Sequence, residues 1–259
     1  LDQIADGLDA VRPRDSTSRS SWLTVASAMV CVIGMIAGAF LFSNRSQLFG
    51  ALRQSTSGGA RSDVDQWKMA NRIFDLLDDR GFVHLSGDPS IMHDRRSIDD
   101  MDRNHAIMIE GVTAEVVSSE QLDRLITLAD QCGLKLLAIE NGAIEYGQAQ
   151  RLAKLHSIEE LYFIDVNLSD NVIIELSRST SLSVFGLWKV HLTDRSVDAI
   201  ADLPKLDTLE LKHCKFDDQM FLRFGRSGSL RNIFSTSDHG LSQDTIRRLK
   251  DQHDIKFEL

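Results

Sequence analysis

A period of 24 residues runs through the second half of the chain. Five successive units begin at Leu134, Ile158, Leu182, Leu206 and Leu230. The first four units place apolar residues at unit positions 1, 4, 6 and 11, and the last residues of the chain fall in register as the start of a sixth strand. A period of this length predicts a solenoid, because each unit can bury its apolar face only by stacking on its neighbours.

Each unit has the pattern of a short strand followed by a helix. Positions 4 and 6, which are Phe185 and Leu187 in the third unit, alternate with polar or variable residues. This alternation predicts a strand that turns those two positions toward the core. The fifth unit is weaker, because Ser235 stands at position 6. Ser169, Thr193 and Asp217 follow position 11 in successive units, and such residues can cap a following helix.

The order of strand, capped helix and return resembles the leucine-rich repeat, in the form with helices on the convex side. The resemblance covers about half of the chain and depends on spacing across several units. It departs from the family at unit position 9, where many members carry Asn or Cys. The residues at that position here are Gly142, Val166, Val190, Cys214 and Asp238. The resemblance implies an α/β leucine-rich-repeat solenoid over residues 134–259, with parallel strands on the concave face.

The chain before the repeats divides into four predicted segments. These are a polar tail at residues 1–21, a transmembrane helix at 22–43, a flexible linker at 44–63 and an irregular α/β cap at 64–133. A cap is expected because a solenoid cannot leave its first apolar face open to water. Within the cap the pattern predicts a helix that stops at Gly81, strands at 82–85 and 106–109 with a charged loop between them, and a second helix through 122–128.

The transmembrane prediction comes from the stretch between Trp22 and Phe42, which contains no charged residue. A helix of this length would span about 31 Å, close to the roughly 30 Å of a bilayer's hydrocarbon core. The alternative is a cleaved signal peptide, because residues 37–39 resemble a signal-peptidase site. The apolar run continues beyond that site and the polar tail is long for a signal peptide. Both observations favour an uncleaved single-pass anchor.

Two features of this segment indicate how it associates with other helices and how it is oriented in the membrane. Gly34 and Gly38 form a GxxxG motif, which lets two helix backbones approach closely and suggests a homodimer through the membrane helix. Three arginines lie before the anchor and two lie within a similar distance after it. This small excess of positive charge favours a cytoplasmic N-terminus and repeats on the exoplasmic side.

The composition and the motifs exclude several classes of function. A formal net charge of −9 and a pI near 5.3 argue against a nucleic-acid-binding surface, which needs a basic face. Three cysteines do not make a disulfide framework. The sequence contains no phosphate-binding glycine loop, no nucleophile elbow and no HExxH motif. We therefore predict neither an enzyme nor a cofactor or metal site.

The candidate binding site follows from the strand alternation. Unit positions 3, 5 and 7 must point out across the concave sheet if positions 4 and 6 point into the core. Tyr162, Ile164 and Trp188 occupy such positions on adjacent strands, which predicts an exposed aromatic and aliphatic cluster like those at interface hot spots. The other predicted members of this face are Glu160, Glu210, Lys212 and Phe234. The alternative is that these side chains only pack on one another, or that the N-terminal cap folds over them.

The expected function comes from the resemblance. Leucine-rich-repeat proteins generally bind partners on the concave strand face, so the resemblance implies a membrane-tethered scaffold that recognises a protein partner there. Two alternatives stay open. The chain could select substrates for, or regulate, an enzyme whose catalytic chain is separate. It could instead be a structural envelope protein whose tether matters more than any ligand.

Overall fold

The computed structural model describes residues 63–85, 91–99, 101, 108–236 and 240–258. The predicted polar tail, the predicted membrane helix with Gly34 and Gly38, and the predicted linker up to residue 62 lie outside the described residues. Among the helices that are described, none has the length and apolar content needed to cross a membrane.

Helices and strands alternate along the described residues. The strands are β1 Gly81–Leu85, β2 Met92–His93, β3 Ile109–Glu115, β4 Leu136–Glu140, β5 Glu160–Ile164, β6 Val184–Trp188, β7 Thr208–Lys212, β8 Asn232–Ser235 and β9 Lys256–Glu258. The α-helices are α1 Asp63–Leu76, α2 Arg95–Asp99, α3 Ser119–Cys132, α4 Tyr146–Ala153, α5 Asp170–Leu176, α6 Asp194–Ala201, α7 Asp218–Arg223 and α8 Gln243–His253. A 3-10 turn at Phe224–Arg226 extends α7.

The nine strands form one sheet in the order β2-β1-β3-β4-β5-β6-β7-β8-β9. β1 is antiparallel to both β2 and β3, whereas the successive strands from β3 to β9 run parallel to one another. From β4 onward each residue pairs with the residue 24 positions later, as Leu137 pairs with Leu161 and Leu161 with Phe185. The predicted α/β class is confirmed, and the period in the sequence is the register of the sheet.

The core lies between the sheet and the helices. Unit positions 4 and 6 face it, and the side chains of Leu137, Ile139, Phe163 and Phe185 are completely buried there. Phe163 and Phe185 occupy neighbouring strands with their ring centroids 6.1 Å apart in an edge-to-face arrangement. Burying one such side chain contributes roughly 1.5–3 kcal/mol, so stacking the units stabilises the sheet continuously along its length.

The capping residues are where the sequence placed them. Ser169, Thr193 and Asp217 are the N-cap residues of α5, α6 and α7. The Asp217 carboxylate accepts a hydrogen bond from the Met220 backbone N–H at 2.8 Å, and Thr193 forms a capping box with Ser196. Ser169 makes no such side-chain bond. In α6 and α7 these contacts satisfy N–H groups that would otherwise lack acceptors at the start of the helix.

A left-handed residue ends strands β4 to β7. Unit position 8 holds Asn141, Asp165, Lys189 and His213, with φ between 54° and 61°. The backbone N–H of Asn141 donates to the Ile164 carbonyl at 2.9 Å, and the next two units repeat this contact. The left-handed conformation costs a non-glycine residue energy. This conformation recurs because it turns the chain out of each strand while preserving a hydrogen bond between neighbouring units.

At unit position 9, one unit makes a hydrogen bond from its side chain to the backbone of the preceding unit. The buried thiol of Cys214 lies 3.1 Å from the Leu187 carbonyl, to which it donates across one repeat. Val166 and Val190, at the same position in the preceding units, are buried but have no donor. Of the second, third and fourth units, only the fourth therefore satisfies this turn with a side-chain hydrogen bond.

The cap region differs from the sequence prediction in two places. The stretch expected to be a charged loop contains β2 and the one-turn helix α2. Arg95 holds α2 in place, because its guanidinium pairs with Asp75 and Asp79 and lies 5.6 Å from the Phe74 ring centroid. Such contacts join residues about 20 positions apart and leave no periodic pattern. The interpretation of this stretch as a charged loop was therefore wrong for residues 92–93 and 95–99.

The second cap strand is also displaced from its expected place. It was predicted at residues 106–109, whereas β3 runs from Ile109 to Glu115. Gly111 lies within it, and glycine in a strand normally weakens it. Here an added Cβ would lie only 2.7 Å from the Cβ of Leu136 on β4. The glycine is needed for the close approach of the two strands, which the sequence pattern alone does not reveal.

Candidate protein-binding face

We use "outer face" for the side of the sheet that carries unit positions 3, 5 and 7, opposite the helix-covered core. This is the face that the sequence analysis interpreted as concave. The seven residues predicted to bind a partner all lie on the four adjacent strands β5 to β8. Ile164, Trp188 and Lys212 are aligned in register across three of these strands. The structure therefore brings the predicted residues together on one side of the sheet.

A contiguous row of side chains crosses this face. The rings of Tyr162 and Trp188 meet edge to face, with centroids 6.4 Å apart. The Nζ atom of Lys212 lies 3.8 Å from the centroid of the Trp188 ring, a cation–π contact. Glu210 Oε2 lies 3.8 Å from the same Nζ atom. The row is therefore held together by aromatic and electrostatic contacts between neighbouring strands.

Tyr162 is buried, although the sequence predicted that it would belong to an exposed cluster. Only 2% of the residue is accessible to solvent. Its ring lies over Gly186 on the next strand, where a Cβ atom would be 2.0 Å from Tyr162 Cδ1. Ile164 and Trp188 are partly exposed. Tyr162 therefore stabilises the sheet, while Ile164, Trp188 and Phe234, which is also partly exposed, remain the more accessible apolar members.

Trp188 also contributes an unused hydrogen-bond donor. Its Nε1 atom is buried and finds no acceptor among the residues that the structure describes. A buried donor without an acceptor costs about 1–3 kcal/mol. Sequence reasoning identified Trp188 as an apolar anchor and did not predict this unsatisfied donor. The signal was available, because an indole ring always carries one N–H donor.

A pair of carboxylates lies at the other end of the same face. Glu115 on β3 pairs in register with Glu140 on β4, both on the outer face. Burial raises the pKa of the Glu140 carboxyl, and the nearby charge of Glu115 raises it further, against a smaller opposing effect of Lys189. Sequence reasoning missed this pair because it placed the cap strand before residue 110. Within the described part of the chain, no three His, Cys, Asp or Glu side chains could hold a metal ion.

We expect Glu140→Gln to stabilise the folded chain at pH 7.5 by up to about 1 kcal/mol, the scale of a like-charge pair between strands. A raised pKa means that the folded state binds the proton more tightly than the unfolded chain. The contribution of Glu140 to stability therefore increases as pH falls through its folded pKa toward the ordinary value of 4.5. The variant should consequently gain less at pH 5 than at pH 7.5.

Urea unfolding followed by circular dichroism at the two pH values measures this difference. Glu159→Gln is the matched control, because Glu159 is exposed and no sheet carboxylate faces it in register. An equal gain in both variants, or a Glu140→Gln gain that does not depend on pH, would contradict the like-charge explanation.

A cleft also lies on the helical side, away from the outer face. It has a volume of about 560 Å³ and is lined by α1, α3 and α4. Three arginines and three carboxylates line it, and two ion pairs join four of them: Arg151 with Asp123 at 2.9 Å, and Arg124 with Glu120. Because charges of both signs line the cleft, it has no electrostatic preference for one ligand. The outer face is the better candidate site.

Comparison with known proteins adds no family assignment: no protein-family model matches the chain, and no curated protein is significantly similar in sequence.

Proposed function

We propose that the chain is a membrane-tethered scaffold of the leucine-rich-repeat type, which recognises a protein partner on the outer, concave face of its sheet. The observation that carries this proposal is Trp188. It combines a partly exposed indole ring with a donor that lacks an acceptor among the described residues, and charged side chains lie beside it. Tryptophan anchors of this kind are enriched at the centres of protein interfaces.

The repeat assignment has separate support. The pairing offset of 24 residues holds from β4 to β9, and each described unit passes from a strand to a helix. Cys214 donates to a backbone carbonyl at the unit position where many leucine-rich repeats carry Asn or Cys. A stack of such units presents a broad sheet surface that serves recognition better than catalysis.

The tether is proposed from the apolar stretch at residues 22–43 and the orientation from the flanking arginines. If both are correct, protease added outside intact cells or spheroplasts should digest the repeats while leaving cytoplasmic markers whole. An antibody against the C-terminal repeats measures the loss. Complete protection until the cells are lysed would reverse the orientation, and recovery of the intact chain in a salt-washed soluble fraction would reject the tether.

Trp188 provides the test of recognition. A photo-crosslinking amino acid placed at position 188 in the full chain should capture a discrete protein in the host cell. The same amino acid at Tyr146, an exposed aromatic residue on the helical side, should not capture it. With the captured partner purified, Trp188→Ala should weaken binding by about 2 kcal/mol or more, which is roughly 30-fold.

Comparing the affinities of Trp188→Ala and the wild type requires that the variant remain folded. Its thermal midpoint and circular dichroism spectrum measure this. A folded Trp188→Ala protein that binds the partner with unchanged affinity would reject the site. The identity of the captured protein separates the alternatives. A catalytic chain would favour the regulatory-subunit function. No capture, together with envelope defects on deletion, would favour a structural role.

A further inference from the structure

We propose that Asn141 is a site of spontaneous chemical modification, at which the folded chain slowly converts asparagine to aspartate and isoaspartate. Asn141 and Gly142 form an exposed Asn-Gly pair in the turn that follows β4. Asparagine is among the chemically labile residues of proteins. The reaction needs a backbone nitrogen beside an unprotected side-chain amide, and it needs no enzyme. It is independent of the proposed function, because it involves no partner.

The side-chain amide of Asn141 is the first of the two reacting groups. It is exposed, and it makes no hydrogen bond to any residue that the structure describes. The second group is the backbone nitrogen of Gly142, whose N–H likewise finds no acceptor in the described part of the chain. Glycine has no Cβ atom to shield that nitrogen. Both reacting groups are therefore unprotected, and they belong to consecutive residues.

The turn also allows the two groups to meet. Asn141 has the left-handed conformation with a φ of 61°, and Gly142 follows with a φ of 83°. The peptide unit that joins them makes no hydrogen bond within the described residues, either through the Asn141 carbonyl or through the Gly142 N–H. This unit can therefore rotate without losing a hydrogen bond, and glycine accepts the change of φ at little cost. The bonds on either side, from Asn141 N–H to the Ile164 carbonyl and from Asn167 N–H to the Gly142 carbonyl, hold the turn in place at 2.9 Å each.

The reaction conserves atoms and changes no oxidation state. The Gly142 nitrogen bonds to Cγ of Asn141, and the bond from Cγ to the side-chain nitrogen breaks. That nitrogen leaves as ammonia with the proton that the Gly142 N–H gives up, and a succinimide ring remains. Water then opens the ring at Cγ to give aspartate, or at the main-chain carbonyl to give isoaspartate. Alkaline pH accelerates the first step, because the attacking nitrogen must lose its proton.

Either product changes the contact between the first two units. A new carboxylate at position 141 directly follows Glu140, whose carboxyl already faces Glu115 on β3. Like charges on neighbouring strands destabilise a sheet. Isoaspartate also inserts a main-chain carbon just beyond the N–H that donates to Ile164. The modification should therefore weaken the pairing of β4 with β5.

Other asparagines of the chain serve as internal controls. Asn141 is the one asparagine in the sequence that precedes glycine. Asn171 precedes a valine whose backbone N–H donates to the Ser169 carbonyl. Asn232 lies within β8, precedes an isoleucine and donates from its side chain to Asp207. A β-branched residue shields its own backbone nitrogen, so both sites should react far more slowly than Asn141.

The test incubates the full chain in detergent micelles at mildly alkaline pH in heavy-oxygen water. Digestion with trypsin in ordinary water then releases the peptide 136–151, which mass spectrometry follows. We expect one heavy oxygen to enter at position 141, because water opens the succinimide during the incubation. Conversion at Asn141 should exceed that at Asn171 and Asn232 by about tenfold or more.

Stability links the modification to the fold. The incubated wild-type chain should unfold at a lower urea concentration than the fresh chain, whereas Asn141→Gln should unfold at the same concentration before and after incubation. Conversion that occurs only when the chain is incubated unfolded in urea would overturn the inference, because the fold would then protect the pair. Conversion no faster at Asn141 than at Asn171 would also overturn it. A converted chain of unchanged stability would reject the effect on β4 and β5.

Discussion

Gly186→Val is expected to lower the free energy of unfolding by about 2–3 kcal/mol, within the range for overpacking a filled site. The Tyr162 ring occupies the space beside Gly186, where even a Cβ atom would lie 2.0 Å from Cδ1 and 2.6 Å from Cε1. The ring cannot stay where it is, so the variant must either displace it from the sheet or separate β5 from β6. Chemical denaturation with intrinsic fluorescence measures the loss, because the ring also contacts Trp188.

A double-mutant cycle identifies the cause. Tyr162→Ala alone should destabilise the chain by leaving the space over Gly186 empty. In the Tyr162→Ala/Gly186→Val protein the valine should partly fill that space, so the combined loss should be smaller than the sum of the two single losses. Gly228→Val is the control, because no atom lies within 4 Å of the added Cβ there. Strictly additive losses would show that Tyr162 is not what opposes the valine.

Phe221→Ala is expected to cost about 3–5 kcal/mol, the usual range for removing a buried phenylalanine. Phe221 is completely buried at the C-terminal end of the core. Its ring lies 5.1 Å from that of Phe216, 5.8 Å from that of Phe224 and 5.4 Å from that of Phe257. Phe257 belongs to the three-residue strand β9, so the loss should fall most heavily on that strand.

Hydrogen exchange distinguishes this local effect from general destabilisation. The amides of β9 and β8 should exchange faster in Phe221→Ala, beyond the change seen in β4 and β5. Phe221→Leu retains most of the volume and should cost about 1.5 kcal/mol or less. If the alanine variant loses protection equally along the whole sheet, Phe221 is not a local anchor for the last strand.

The repeat region illustrates how far sequence patterns can reach. The period of 24 residues placed Leu137, Phe163 and Phe185 in the core, and each is buried. The capping residues were found because a side chain that accepts from a helix N–H must be short, polar and immediately before the helix. Both inferences concern residues close in sequence or repeated at a constant interval. The structure reproduces them for that reason.

The cap region and the outer face show what sequence patterns do not predict. No repeated interval links Arg95 to Asp75, or Glu115 to Glu140, so neither pair was predicted. The alternation correctly assigned Tyr162 to the outer face. It did not predict the burial of that residue, because its exposure depends on the absence of a side chain at Gly186 on the neighbouring strand.

The sequence by itself therefore determined the α/β class, the strand register and the core positions, because a regular period and local capping chemistry specify them. Only the tertiary structure decided which outward residues remain accessible and which charges face one another. Those properties depend on the volume and charge of whatever side chain lies about 5 Å away on the next strand. For Trp188 that neighbour is Lys212, and for Glu140 it is Glu115.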